Sequence, residues 1–146
     1  MERTEIKALF SSVTDYIDSQ VTVCGWVKTL RQSKTLGFIE LNDGSCFQNL
    51  QVVFEPGKVE NYEEIATENV GAALVVRGHV LLTPNANQPF EVHASSIAVE
   101  GASSPEYPLQ KKKLSLEYLR TIQHLRRRTN TFSAAFRVRS VAAYAI

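Results

Sequence analysis

Five runs of alternating apolar and polar residues, each closed by turn-forming residues, constrain this chain more than anything else in it. Side chains along a strand point to opposite faces with a period of two, so sustained alternation marks a strand with one buried face. The first run sets Val21, Val23, Gly25 and Val27 on one face. The second, residues 37–42, turns Ile39 and Leu41 inward and stops at the turn signal Asn42-Asp43-Gly44. The third, residues 50–54, sends Leu50, Val52 and Phe54 inward and ends at Pro56-Gly57. A fourth covers residues 72–82, with Leu74, Val76, Gly78, Val80 and Leu82 on one side; a fifth covers 90–99, after the loop 84–89. Between the third and fourth, residues 59–69 carry Glu63-Glu64 and the helix-forming Ile65-Ala66 and run out near Gly71, which predicts a helix. Ile6, Leu9 and Phe10 add a short helix, about residues 7–11, ahead of the first strand.

Three strands, a helix and two more strands is the order of the OB fold, a five-stranded Greek-key barrel. The strand 2 and 3 face of that barrel, with the loops after strands one and four, binds oligonucleotides. A small sandwich accommodates the strands but leaves the helix without a role. The expected fold class is mainly β.

The pattern breaks after residue 100. Gly101-Ala102-Ser103-Ser104-Pro105 has the small, turn-forming residues of a linker, and Lys111-Lys112-Lys113 adds a charged run. Three parts are therefore expected: a barrel domain over residues 1–104, a hinge over 105–114 and a helical segment over 115–146. A length of 146 residues with 44% hydrophobic content suffices for one domain and such an appendage. Ser115 can cap a helix whose stripe is Leu116, Leu119, Ile122, Gln123 and Leu125, and Arg126-Arg127-Arg128 then falls at its C-terminal end, where the helix dipole favours positive charge. From Phe132 a second helix begins, with Phe136, Val138, Val141 and Ala142 as apolar positions, and it stops without punctuation at Ile146. The expectation is the front part of a longer protein, since an apolar helical stretch needs something to cover it.

Charge narrows the function. Residues 1–104 hold 7 Lys/Arg against 13 Asp/Glu, a balance of −6, whereas residues 105–146 hold 9 against 2, a balance of +7. Non-specific binding of nucleic acid draws on many Lys/Arg contacts to phosphate, so an acidic barrel that binds it should do so mainly through bases. No apolar run approaches the length of a membrane helix and no signal segment opens the chain, which points to the cytoplasm and away from a membrane. Cys24 and Cys46 make no CxxC, and His79, His93 and His124 are dispersed without companions at ligand spacing, so no metal site is expected.

Strand parity singles out one surface. With Ile39 and Leu41 inside, Phe38 points outward, and with Leu50 and Val52 inside, so does Gln51. An exposed aromatic beside an amide on the next strand is a stacking platform with a hydrogen-bonding partner, which single-stranded nucleic acid requires. Parity alone serves two ordinary surface residues equally well.

The stretches Val23-Cys24-Gly25-Trp26-Val27, Arg31, Gly37-Phe38-Ile39, Asp43-Gly44 and Leu50-Gln51-Val52-Val53 resemble the N-terminal anticodon-binding domain of the class II aminoacyl-tRNA synthetases for aspartate, asparagine and lysine. Tyr107-Pro108-Leu109-Gln110-Lys111-Lys112-Lys113, Glu117-Tyr118-Leu119-Arg120, Leu125-Arg126-Arg127-Arg128-Thr129 and Phe136-Arg137-Val138-Arg139 are similar to the hinge and first catalytic-domain helices of asparaginyl-tRNA synthetases. The resemblance implies that Phe38 stacks on the central uridine of the anticodon and that Gln51 hydrogen-bonds that base's edge. It also implies that Arg31 meets the anticodon backbone or the central base, and that Glu91 meets the first base, a guanosine-type nucleoside. Strict alternation from Val21 would turn Arg31 inward, so a bulge near Leu30, or an exit from the strand, must rescue it. Phe90 and Val92 claim the core side of their strand, which leaves Glu91 outside, as a reader or as a solvated carboxylate. The third base should be sensed within residues 84–89 or 32–35, where no side chain announces itself.

For the longer protein the resemblance implies a homodimeric ligase that uses ATP and magnesium to join asparagine to its tRNA. Its catalytic groups would lie beyond Ile146, so no residue of this chain is expected to be catalytic and no cofactor is expected in it. The alternatives are a fragment of an aspartyl-tRNA synthetase and a stand-alone single-stranded nucleic-acid module.

Overall fold

The alternating runs form the strands they predict: β1 (Gln20–Gln32), β2 (Gly37–Asn42), β3 (Leu50–Phe54), β4 (Ala73–Leu82) and β5 (Phe90–Gly101). The computed structural model describes residues 2–33, 35–86 and 88–146. The strands close into a barrel in the order β1-β2-β3-β5-β4, antiparallel everywhere except between β3 and β5. This is the OB barrel. Ile39, Leu41, Leu50, Val52, Phe54, Leu74, Val76, Val80, Phe90 and Val92 fill it, each at 0 or 1% exposure, and the inward parity read from the sequence holds for all of them. Phe54 lies across Gly37, where any Cβ would overlap its ring.

Helix α1 (Ile6–Ser11) adds Ile6 and Leu9 to the same core and sets Phe10 against Phe90, ring centroids 4.9 Å apart. Its first backbone N–H groups have no partner within the helix. Asp43 and Ser45, in the β2–β3 turn, take two of them: Ile6 N–H donates to Asp43 Oδ2 at 2.9 Å and Lys7 N–H to Ser45 Oγ at 3.0 Å. The turn read from Asn42-Asp43-Gly44 therefore also anchors the N-terminal helix, with Gly44 at φ +83°, a conformation that favours glycine.

Two helices are shorter than expected. Residues 59–69 yield only α2 (Tyr62–Ala66): at the front Val59 is held in an isolated bridge to Pro56, and at the back the Thr67 hydroxyl donates to the Glu63 and Glu64 carbonyls at 3.2 and 2.9 Å. Asn69 instead donates to the Ser103 carbonyl at 2.9 Å, Ser103 Oγ donates to the Val70 carbonyl at 2.8 Å, and the Tyr107 ring covers Gly71.

The chain divides into two compact units, the first running through Tyr107 and the second Pro108–Ile146. In the second, Ser115 caps α3 (Leu116–Thr121), its Oγ accepting from Tyr118 N–H at 3.1 Å. The expected single stripe breaks at Ile122, which leaves helical geometry at φ −108°, ψ 57°; Thr121, directly before it, turns its hydroxyl back onto the Tyr118 carbonyl at 2.7 Å. Gln123 and Leu125 belong to a separate turn, α4 (Gln123–Arg126), followed by α5 (Asn130–Ala145). The Arg126 guanidinium lies over the rings of Phe132 and Phe136, 5.0 and 5.9 Å from their centroids. Along α5, Val138 and Val141 are about 70% exposed. No helix among the described residues is long and apolar enough to cross a membrane.

Candidate nucleic-acid interface

Barrel closure arranges the outward side chains in two neighbouring rows across β1, β2, β3 and β5. One row pairs Arg31 with Phe38, Phe38 with Val53 and Val53 with His93; the other pairs Thr29 with Glu40 and Glu40 with Gln51, and continues to Glu91 through a side-chain bond. Arg31 reaches the outer face because β1 is bulged. Val27 opposes Leu41 and Thr29 opposes Glu40, so Lys28 is the extra residue and every side chain after it changes face. The break falls two positions before Leu30.

Phe38 is half-buried, and Val53 beside it is only 3% exposed although its parity is outward. The ring therefore stands on an apolar base. Arg31, 57% exposed, lies 3.9 Å from Glu40. A pair that open contributes at most about 1 kcal/mol, so Arg31 can exchange it for a phosphate or base acceptor at little cost.

Gln51 and Glu91 come together. Gln51 Nε2 donates to Glu91 Oε2 at 3.0 Å, and His93 Nε2 lies 2.7 Å from Glu91 Oε1. His93 Nδ1 is 3.9 Å from Glu55 Oε1, which also takes the Lys58 ammonium at 2.9 Å. Sequence reasoning missed His93 because it looked for metal spacing. The available signal was parity, two residues from Glu91 on one strand. No group of three or more His, Cys, Asp or Glu among the described residues is placed to hold a metal ion.

Gln88 was missed as well, and no local pattern marks it. β3 meets β5 only at Val52 and Val53, which leaves the start of its edge without a ladder. The Gln88 side chain completes that edge as a strand would: Gln51 N–H donates to its Oε1 at 3.1 Å, and its Nε2 donates to the Asn49 carbonyl at 2.6 Å. The loop between β4 and β5 is thereby fixed beside Gln51. In the segments assigned to the third base, Lys34 and Asn87 lie outside the described residues; Gln32 Nε2 donates to the Ala66 carbonyl at 2.9 Å.

Glu40, Glu55 and Glu91 make this surface acidic around one arginine. Carboxylates repel a phosphate chain, but they match a base edge that presents N–H donors. A half-buried ring, an amide and an oriented carboxylate can stack a base and read its edge; a backbone-gripping surface would be cationic.

The profile of the tRNA anti-codon family, described as an OB-fold nucleic acid binding domain, matches residues 21–100. The chain is 58% identical over its whole length to the asparagine–tRNA ligase of Acetivibrio thermocellus and 54% identical to that of Clostridium kluyveri, covering 32 and 31% of those proteins. It thus spans about a third of the length of the curated relatives it matches. Its fold is similar to that of asparaginyl-tRNA synthetase from Pyrococcus horikoshii complexed with asparaginyl-adenylate, with a TM-score of 0.86 and 24% identity over 99% of this chain and 33% of that one.

Proposed function

The chain belongs to the OB-fold tRNA anti-codon family of nucleic acid binding domains, and from that membership we propose that it is the anticodon-reading front part of an asparagine–tRNA ligase. In this reading Phe38 stacks on the central uridine and Gln51 takes the edge of that base. Arg31 meets the backbone or the same base, and Glu91 accepts from the first base, a guanosine-type nucleoside whose edge carries two adjacent N–H donors. The observation that carries the reading is the Gln51–Glu91 bond at 3.0 Å on the face that bears Phe38. It sets an amide and a carboxylate side by side, as two consecutive bases would need them. The whole protein would use ATP and magnesium to form an asparaginyl-adenylate and pass asparagine to its tRNA, as a cytoplasmic homodimer. The hinge and residues 115–146 would be the approach to its catalytic domain. High identity to asparagine–tRNA ligases along the full chain favours this over an aspartyl enzyme or a free-standing module.

Titrating the 146-residue chain with labelled anticodon stem-loops tests the proposal. The asparagine stem-loop should bind more tightly than versions changed at the central or the first base. Equal affinity for all of them would reduce the surface to a non-specific one.

A further inference from the structure

We infer that His93 is a positioning residue for base recognition: it holds the Glu91 carboxylate in the plane and direction in which that group accepts from the first base. The inference rests on the anticodon reading proposed above and adds a residue to it. A glutamate side chain is long and rotatable, and left alone it would have to be ordered at each binding event. Here each carboxylate oxygen is held by a donor from a different strand: Oε2 by Gln51 of β3 at 3.0 Å and Oε1 by His93 of β5 at 2.7 Å. An ionised carboxylate only accepts, so Nε2 of the imidazole carries the proton in that contact. Each oxygen keeps a further lone pair for a base edge. The second ring nitrogen faces Glu55, whose carboxylate is engaged by Lys58, and the cross-strand neighbours of His93 are Val53 and His79. With both of its carboxylate oxygens engaged, Glu91, whose side chain is 15% exposed, is presented rather than free to swing.

Substitutions that keep or move the donor separate positioning from plain structural support. Glutamine places an amide nitrogen near the position of Nε2, whereas asparagine places its amide near Nδ1, out of reach of Glu91. Stem-loops carrying guanosine or adenosine at the first anticodon position, and uridine or cytidine at the central one, are titrated against the full chain. His93→Asn should lower the guanosine preference by on the order of tenfold, the scale of one good bidentate base contact. The uridine preference, reached only through the Gln51–Glu91 bond, should fall by clearly less than the guanosine preference, and His93→Gln should restore most of the latter. If His93→Asn leaves first-base selectivity intact while Glu91→Ala abolishes it, His93 has no positioning role and the anticodon reading stands. Equal losses at both positions, or no rescue by His93→Gln, would also overturn the inference. A wild-type chain without first-base preference would overturn the reading on which it rests.

Discussion

At the scale of single residues, Phe38 is suited to stacking because it is half-buried on an apolar base that includes the nearly inaccessible Val53. A ring held this way loses little freedom when a base settles on it. Phe38→Ala should therefore weaken binding of the asparagine stem-loop by about 1 to 3 kcal/mol while the barrel stays folded; unchanged affinity in a titration would remove the platform. Gln51 and Glu91 differ from Phe38 in being bonded to each other at 3.0 Å. Their substitutions should not add. In a cycle of Gln51→Ala, Glu91→Ala and the double variant, a coupling of about 0.5 to 3 kcal/mol is expected in stem-loop affinity, and strict additivity would mean that the two read their bases separately. The outward faces of Phe38, Gln51 and Glu91 were legible from parity, which is a local property. The bond between the last two was not, because 40 residues separate them.

Elements explain why the side chains stand where they do. The extra residue Lys28 in β1 turns Arg31 to the same face as Phe38, and alternation counted along the sequence could show only that some break was needed. Gly37 and Phe54, opposite each other on β2 and β3, form the tightest approach in this region. Gly37→Ala forces the Phe54 ring out of place and should destabilise the barrel by about 1 to 3 kcal/mol, read from a denaturant midpoint. Gln88 closes the β3 edge with one accepted and one donated bond. Gln88→Ala should leave the fold in place but speed hydrogen exchange at the Gln51 amide; exchange at the wild-type rate would mean that this edge does not depend on the side chain. Both α2 and α3 end at or beside a threonine that back-bonds to the preceding turn. Thr67 and Thr121 read as compatible with helix, and only the folded chain shows their hydroxyls bonded to the preceding carbonyls.

Across the whole molecule, an acidic first part with a balance of −6 and a basic second part with a balance of +7 imply that selectivity and charge attraction have different sources. Added salt should weaken every stem-loop alike through counterion release, while the affinity ratio between the asparagine stem-loop and one with an altered central base stays constant, since base contacts release no counterions. Titrations at several salt concentrations check this, and a ratio that collapses with salt would assign the selectivity to phosphate contacts. The sequence by itself determined the five strands and most of their inward faces, because alternation and turn residues act over a few neighbouring positions; Leu82, counted with the inward side of its strand, is 50% exposed. Only the tertiary structure decided that His93 braces Glu91, that Gln88 completes β3 and that Asp43 and Ser45 anchor α1. Those contacts arise where barrel closure brings distant segments within reach of one side chain, and no local pattern encodes that distance.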